Sequence, residues 1–284
     1  MNFIAPNITP LPTDDTGAII DLRAQDQQQL LNVDHPADEA GYRFLKASTT
    51  ARLGLGRVGT RYTTRSVLRL RADHAAARDA VWTDVSTSFI EQQGCVPFQY
   101  VCESESEYLT RPDRGRQLSA DTLKRVQALY PTNPRVLIAV GDGLSSAAIE
   151  ANVADVIPAI TQGLALDHLT IGPIPFIRFA RVGTEDYLGE ATQADVVCLL
   201  IGERPGLVTA KSMSAYLAYR PTVGMPEARR TVVSNIHPGG VPAVEAGAYL
   251  ADLIKEMLAK RASGLALNAG LESELNNYSN DNLA

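Results

Sequence analysis

The sequence predicts an α/β fold: a doubly wound, mainly parallel, Rossmann-like sheet in the C-terminal part, with a smaller helical region before it. Short, continuous apolar segments at residues 136–140 and 196–201 are typical of strands that are buried on both faces. Segments of helical character separate such strands from one another along the chain. This alternation indicates a parallel sheet covered by helices on both sides.

From residue 135 onward the predicted elements follow one another closely. After the strand at 136–140, Ser145 or Ser146 can cap a helix that continues to about residue 164. The other predicted elements are, in order, a strand near residues 174–182, a helical turn from Glu185, the strand at 196–201, a strand at 231–236 and a helix at 242–263. The segment 212–219 has no clear class.

The part of the chain before residue 130 is predicted to be mainly helical. Apolar residues at three- and four-residue steps predict a helix over residues 63–85, and Ser119 can cap another through residue 129. A short extended piece at residues 96–102 interrupts the pattern.

These patterns predict four regions. Residues 1–45 form a flexible extension, in which 19–33 is a candidate docking helix. Residues 46–130 form the helical region, 131–266 the Rossmann-like domain, and 267–284 a mobile tail rich in Asn and Ser.

Composition limits the class of protein. Of the 284 residues, 45% are apolar and 20% are charged, so a true core can form. The net charge of -6 argues against nucleic acid as the main partner. Since no apolar run approaches the roughly 20 residues that span a bilayer and the first residues lack a secretory pattern, we expect a cytoplasmic protein with no membrane partner. The spacing of its few cysteines predicts neither a disulfide nor a metal site.

Four loops that follow predicted strands combine glycine with polar side chains. They are residues 141–146, 181–186, 202–207 and 234–240. Turns are commonly rich in glycine and polar residues, so one such loop carries little information. Because ligands of open α/β sheets bind outside the carboxyl ends of the strands, four of them on one edge favour a ligand or partner surface.

Catalytic motifs are not found. Residues 54–59 (GLGRVG) match the dinucleotide pattern through Gly54, Gly56 and Gly59, but no strand is predicted before them and no helix begins within them. An NAD-dependent oxidoreductase therefore remains only an alternative. The four histidines show no metal-ligand spacing, and no nucleophile elbow occurs. We expect no catalytic and no metal-binding residues in this chain. Glu185 and Asp186 are interpreted as acids that stabilise the start of a helix.

Several separate strings resemble the ethanolamine ammonia-lyase small-subunit family. They are residues 51–57 (ARLGLGR), 108–116 (YLTRPDRGR), 142–145 (DGLS), 202–207 (GERPGL), 234–237 (SNIH) and 260–264 (KRASG). The match extends in order over about residues 47–267. It also accounts for the dinucleotide-like string.

The resemblance implies a lyase that uses adenosylcobalamin to convert ethanolamine to acetaldehyde and ammonia by a radical mechanism. It implies a large catalytic subunit as partner, which binds most of the substrate, and a hetero-oligomer of several large–small pairs. Cobalamin would lie between the two chains. Family members often reside in bacterial microcompartments, and residues 19–33 could serve as an encapsulation helix. The alternative is a non-catalytic α/β scaffold or binding module of a microcompartment.

The resemblance also implies three cobalamin-contacting positions, which fall on Val182, Glu203 and Val232. Val182 could lie against the apolar part of the cofactor, and Glu203 could accept hydrogen bonds from corrin amides. An ion pair of Glu203 with Arg204 or Arg181 is the alternative. The family has cysteine where this chain has Val232, which excludes a thiol-specific contact there but is compatible with a main-chain contact. No histidine lies in an Asp-x-His-x-x-Gly pattern, so the cofactor is expected to be base-on, with its own benzimidazole on cobalt.

Overall fold

The computed structural model describes residues 13, 15–17, 21–24, 30–33, 35–114 and 117–267. The chain divides into two compact units, residues 1–77 and residues 78–284. The predicted tail lies outside the described residues except for Leu267, and so do residues 19, 20 and 25–29 of the candidate docking helix.

The first unit contains helix α1 (Glu39–Ala47), the antiparallel strands β1 (Arg57–Val58) and β2 (Arg61–Tyr62), and most of helix α2 (Thr64–Trp82). The helix predicted over residues 63–85 is therefore confirmed. Helix α1 begins within the segment that composition assigned to a flexible extension, and Asp38 caps it by accepting the N–H of Gly41. Asp73 is buried in this unit and pairs with Arg52 and Arg69.

The second unit is built on one six-stranded sheet. Its strands are β3 (Cys95–Gln99), β4 (Val136–Gly141), β5 (Ile174–Arg178), β6 (Val196–Gly202), β7 (Met213–Tyr219) and β8 (Thr231–Ile236). Their order across the sheet is β3-β5-β4-β6-β7-β8. The first four are mutually parallel, whereas β7 pairs antiparallel with both neighbours. The predicted α/β class and mainly parallel sheet are confirmed.

Helices cover both faces of this sheet. They are α3 (Thr87–Gln92), α4 (Glu105–Thr110), α5 (Ala120–Ala128), α6 (Ser146–Ala165), α7 (Thr184–Thr192) and α8 (Ala243–Lys260). Alternate residues of β4 and β6 enter two separate cores, one with α6 and α8 and the other with α5 and α7. The predicted caps form: Ser119 accepts the N–H of Thr122 and Ser145, rather than Ser146, accepts that of Ala148.

The strand order reverses beside β4. Helix α6, which follows β4, belongs to one core, while α7, which follows β5, belongs to the other. The carboxyl ends of the neighbouring strands β4 and β5 therefore lie where their following loops lead to opposite faces of the sheet, and such a point is where α/β sheets form a ligand crevice. Among the described residues, no helix is both long enough and apolar enough to cross a membrane.

Candidate functional site

A cavity of about 250 Å³ lies at the carboxyl ends of β4, β5 and β6. Its wall combines aromatic, charged and small residues, among them Tyr108, Gly143, Arg181, Val182, Glu203 and Tyr216. A larger cavity of about 360 Å³ beside β3 and β5 contains none of the predicted contacts. The smaller cavity is the candidate site because three of the four predicted loops contribute to it.

Two glycines bring the first and third of these loops together. Gly143 has a φ of +59°, and a Cβ there would lie 2.2 Å from the carbonyl oxygen of Gly202. A Cβ on Gly202 would lie 2.2 Å from the carbonyl oxygen of Ser145. The N–H of Leu144 donates to the carbonyl of Gly202 at 3.0 Å. Only residues without a side chain allow this approach.

Tyr108 connects the first loop to the residue that precedes the second loop. Its hydroxyl oxygen lies 2.7 Å from the carbonyl oxygen of Ala180 and 3.0 Å from that of Gly143. The ring is buried and stacks on Phe179, with the ring centroids 5.4 Å apart. Tyr108 belongs to the 108–116 string, but nothing local in the sequence indicated this bridging role.

Asp142 holds the loop after β5 in an unusual conformation. Phe179 has a φ of 62°, in the left-handed region that bulky residues seldom adopt. The Asp142 carboxylate accepts the N–H of Phe179 at 2.8 Å and that of Ala180 at 2.9 Å. Burial raises the pKa of Asp142 to about 7, against the lowering effect of these two N–H groups. Such enforced backbone geometry is characteristic of functional loops.

Arg181 presents a buried donor at this site. Its guanidinium lies 4.2 Å from the centroid of the Tyr108 ring, and Nη2 donates to the Tyr108 carbonyl at 2.8 Å. Its Nε is buried and has no hydrogen-bond partner in the described part of the chain. An unsatisfied buried donor in a cavity wall is suited to an acceptor on a ligand.

Glu203 lies in the same wall, at the end of β6. Its N–H donates to the carbonyl of Ser212 at 3.0 Å, which fixes the start of the loop. Burial, followed by the charge and hydrogen bonding of Glu203, raises the pKa of Tyr216. Within residues 117–267, no ion pair joins Glu203 to Arg204 or Arg181, so its carboxylate is not occupied by the predicted alternative.

The structure brings two of the three sequence-predicted contacts into one cavity and leaves the third nearby. Val182 and Glu203 both line it. Val232 is 45% exposed on β8 and lies directly opposite Tyr216 of β7. Because residues that face each other in a sheet project to the same side, Val232 lies on the side of the sheet that carries Tyr216.

The fourth predicted loop is closed by its own histidine. The ring of His237 lies 2.8 Å from the Asn235 side-chain oxygen through Nε2, and its Nδ1 accepts the N–H of Gly239 at 3.1 Å. Burial lowers the pKa of His237. His237 thus shapes the loop in which it lies.

Glu185 and Asp186 have a second role that the sequence analysis missed. They do begin helix α7, but both are buried and pair with the buried Arg230. Burial raises the pKa of Glu185 to about 8, although Arg230 acts in the opposite direction. No local pattern could have indicated this pairing, because Arg230 lies far along the chain.

The dinucleotide alternative is not supported by the backbone. The string at 54–59 contains β1, follows helix α1 and precedes β2, so it lacks the strand before it and the helix beginning within it that the dinucleotide pattern needs. The three cysteines are free and buried. No three His, Cys, Asp or Glu side chains of the described residues are grouped so as to hold a metal ion.

The second unit is thus an open α/β sheet with glycine-dependent loops around a cavity at the carboxyl ends of its strands. In proteins of this class, ligands bind where the strand order reverses. Residues 39–268 match the model of the family described as ethanolamine ammonia-lyase light chain. The chain belongs to this family.

Relatives from three organisms carry the name ethanolamine ammonia-lyase small subunit. The Clostridium perfringens protein is 57% identical over 88% of this chain and 84% of its own length. The Clostridioides difficile protein is 52% identical over 91% and 88%, and a Listeria monocytogenes protein is 53% identical over 88% and 86%. The resemblance drawn from the motifs is confirmed, and with it the expectation of a subunit of a lyase.

Proposed function

We propose that this protein is the small subunit of an adenosylcobalamin-dependent ethanolamine ammonia-lyase, holding cobalamin at the interface with the large catalytic subunit. The reaction converts ethanolamine to acetaldehyde and ammonia by a radical mechanism. The observation that carries the proposal is the cavity whose wall contains Val182 and Glu203. Membership of the light-chain family supports the assignment of the reaction.

The residues of the cavity fit the periphery of a corrinoid. Such a cofactor presents an apolar ring edge, amide side chains and a phosphodiester. Val182 offers an apolar contact, and the Glu203 carboxylate can accept hydrogen bonds from amide N–H groups. The buried Nε of Arg181 can donate to an amide carbonyl or a phosphate oxygen. Glu203 and Arg181 thus each have a complementary group on the cofactor.

The size of the cavity supports a shared site. At about 250 Å³ it is smaller than the roughly 300–1,000 Å³ of pockets that enclose drug-sized ligands, and a corrinoid is larger than such ligands. This chain can therefore cover only one edge of cobalamin, and a second protein must cover the rest. We assign the large subunit as this second protein, in a hetero-oligomer of several large–small pairs.

The division of chemistry follows from the same residues. Cobalamin supplies the radical chemistry when bound, and the protein binds it, orients it and excludes water. Here Glu203 and Arg181 orient the cofactor edge, and Val182 shields it. We place the substrate on the large subunit, and we propose a base-on cofactor because the sequence lacks the motif that supplies a lower histidine.

Two finer proposals accompany this one. The reversal of strand order between β5, β4 and β6 supports a Rossmann-like description of the second unit, since such reversals mark the binding crevice of doubly wound folds. We also propose that the protein works in the cytoplasm inside a bacterial microcompartment, with residues 19–33 as the encapsulation segment.

The decisive experiment is reconstitution with the large subunit. The Glu203→Gln variant keeps the shape of the side chain but loses the charge, and we expect its dissociation constant for cobalamin to rise about tenfold or more. Glu91→Gln removes the same charge from an exposed helix position and should bind like the unchanged protein. Absence of cobalamin binding by the unchanged complex would favour a scaffold instead, and equal affinities of the two variants would exclude Glu203 from the site.

A further inference from the structure

Four charged side chains form a cluster between helix α7 and strand β8, the Arg230 cluster (Arg230, Glu185, Asp186 and Glu227). Arg230 is 3% exposed, and its Nε donates to Glu185 Oε1 at 2.6 Å. Its Nη2 lies 2.6 Å from both carboxylate oxygens of Asp186. Glu227 is exposed and approaches Nη1 to 2.6 Å. Three of these four ionisable groups are thus out of water, where the charged form of such a group is costly unless it is paired.

The cluster joins the two chain segments that carry Val182 and Val232. The N–H of Glu185 donates to the carbonyl of Val182 at 3.2 Å, while the Glu185 side chain binds Arg230. Arg230 directly precedes β8, whose second residue is Val232. A continuous path of two hydrogen bonds and a short stretch of backbone therefore connects the two predicted cofactor contacts.

Both elements that the cluster joins are also held by other contacts. Strand β8 is already paired with β7 at Thr231 and Val232, and helix α7 is anchored by Leu188 in the core. Apolar side chains of similar volume commonly replace a buried ion cluster without loss of stability. Glu185 Oε2 is also buried without a hydrogen-bond partner among the described residues, which is not the arrangement of a cluster built for stability.

We propose that Arg230 is a positioning residue: through Glu185 and Asp186 it fixes the spacing between Val182 and Val232, and so sets the affinity of this surface for the corrinoid. The inference rests on the proposed function. Binding sites need their contacting residues held by a supporting layer of side chains, and loosening that layer lowers affinity although every contacting residue is still present.

The test replaces the cluster by apolar residues, so that no buried charge is left alone. The triple variant Arg230→Met, Glu185→Leu and Asp186→Leu is assembled with the large subunit and titrated with cyanocobalamin, followed by visible absorbance. We expect an unchanged melting temperature and a dissociation constant raised about tenfold or more. With adenosylcobalamin, the KM for the cofactor should rise while kcat at saturating cofactor stays the same.

The matched control is Arg220→Met. Arg220 is another arginine at the end of a strand, directly after β7, but it is 66% exposed, pairs with Asp195 and does not line the cavity. The Arg220→Met variant should bind cyanocobalamin as the unchanged protein does. A triple variant that folds and binds with unchanged affinity would overturn the positioning role, and so would one that fails to fold or assemble, since the cluster would then be structural. Failure of the unchanged complex to bind cobalamin would instead contradict the proposed function.

Discussion

The loops after β4 and β6 approach each other so closely at Gly202 that adding one methyl group, as in Gly202→Ala, should separate them. A Cβ at this position would lie 2.2 Å from the carbonyl oxygen of Ser145 and 2.4 Å from that of Asp142, where ordinary contact begins at 3.4 Å. Both neighbours are backbone atoms, so neither can rotate away. Gly202→Ala therefore requires the two loops to separate by about 1 Å.

The size of the effect follows from this overlap. Forcing extra atoms into a packed region typically costs about 1–3 kcal/mol, and a clash with backbone on two sides belongs at the upper end, about 3 kcal/mol. For a protein of this size each kcal/mol lowers the melting temperature by roughly 2–4 °C. We expect Gly202→Ala to melt roughly 6–12 °C lower and to bind cobalamin more weakly, because Glu203 moves with the loop.

Gly206→Ala in the same hexapeptide is the control. Its Cβ would come no closer than 3.7 Å to any neighbour, the carbonyl oxygen of Thr209, and its free energy of unfolding should stay within about 1 kcal/mol of the unchanged protein. Thermal unfolding followed by circular dichroism and a cobalamin titration of the reconstituted complex measure both effects. If the two alanine variants melt within a degree or two of each other, the close approach of the loops is not a property of the folded protein.

Two other predictions concern buried polar groups. Tyr108→Phe deprives the carbonyls of Gly143 and Ala180 of their shared hydroxyl and should lower the free energy of unfolding by about 1–3 kcal/mol in urea, whereas Tyr249→Phe, at a 57% exposed position, should have no effect. In the folded state burial raises the pKa of Glu185 from 4.5 to about 8, although Arg230 acts in the opposite direction. Between these two pH values the folded protein therefore retains a proton that the unfolded chain releases. The free energy of unfolding should therefore fall as pH rises between these two values; Glu185→Gln should make that slope shallower, and an equal slope in the two proteins would contradict the assignment.

The elements that could be predicted from sequence are those whose cause is local. Strands β4 and β6 are unbroken runs of apolar residues and are buried throughout, as continuous runs in parallel sheets are. Ser119 and Ser145 cap helices through atoms a few residues away. The extended piece near residue 96 is part of β3, at the edge of the sheet, and Pro97 agrees with an edge position because proline cannot donate to a second neighbour.

What escaped prediction depends on distant pairing. The segment at 212–219 became the antiparallel strand β7 because it pairs with both β6 and β8, and a two-residue period does not encode strand direction. Similarly, Glu185 and Asp186 read locally as acids at a helix start, which they are. Their buried partner Arg230 is brought to them only by the completed sheet.

The structure distinguishes residues that hold the loops in place from residues that face the cavity. Tyr108 bonds backbone carbonyls, and the members of the Arg230 cluster pair with one another, so both hold chain segments in place. Glu203 instead faces the cavity. A surface already held in its binding geometry loses less conformational entropy when it closes on a ligand. Loosening the supporting residues should therefore reduce affinity in proportion to the freedom gained by the loops. The Glu203 carboxylate interacts with Tyr216 of β7, so removing it should reduce affinity and lower the free energy of unfolding by no more than about 1 kcal/mol. Neither kind of substitution should change the catalytic rate at saturating cofactor. On the proposed function, the reacting groups belong to the cofactor and to the large subunit.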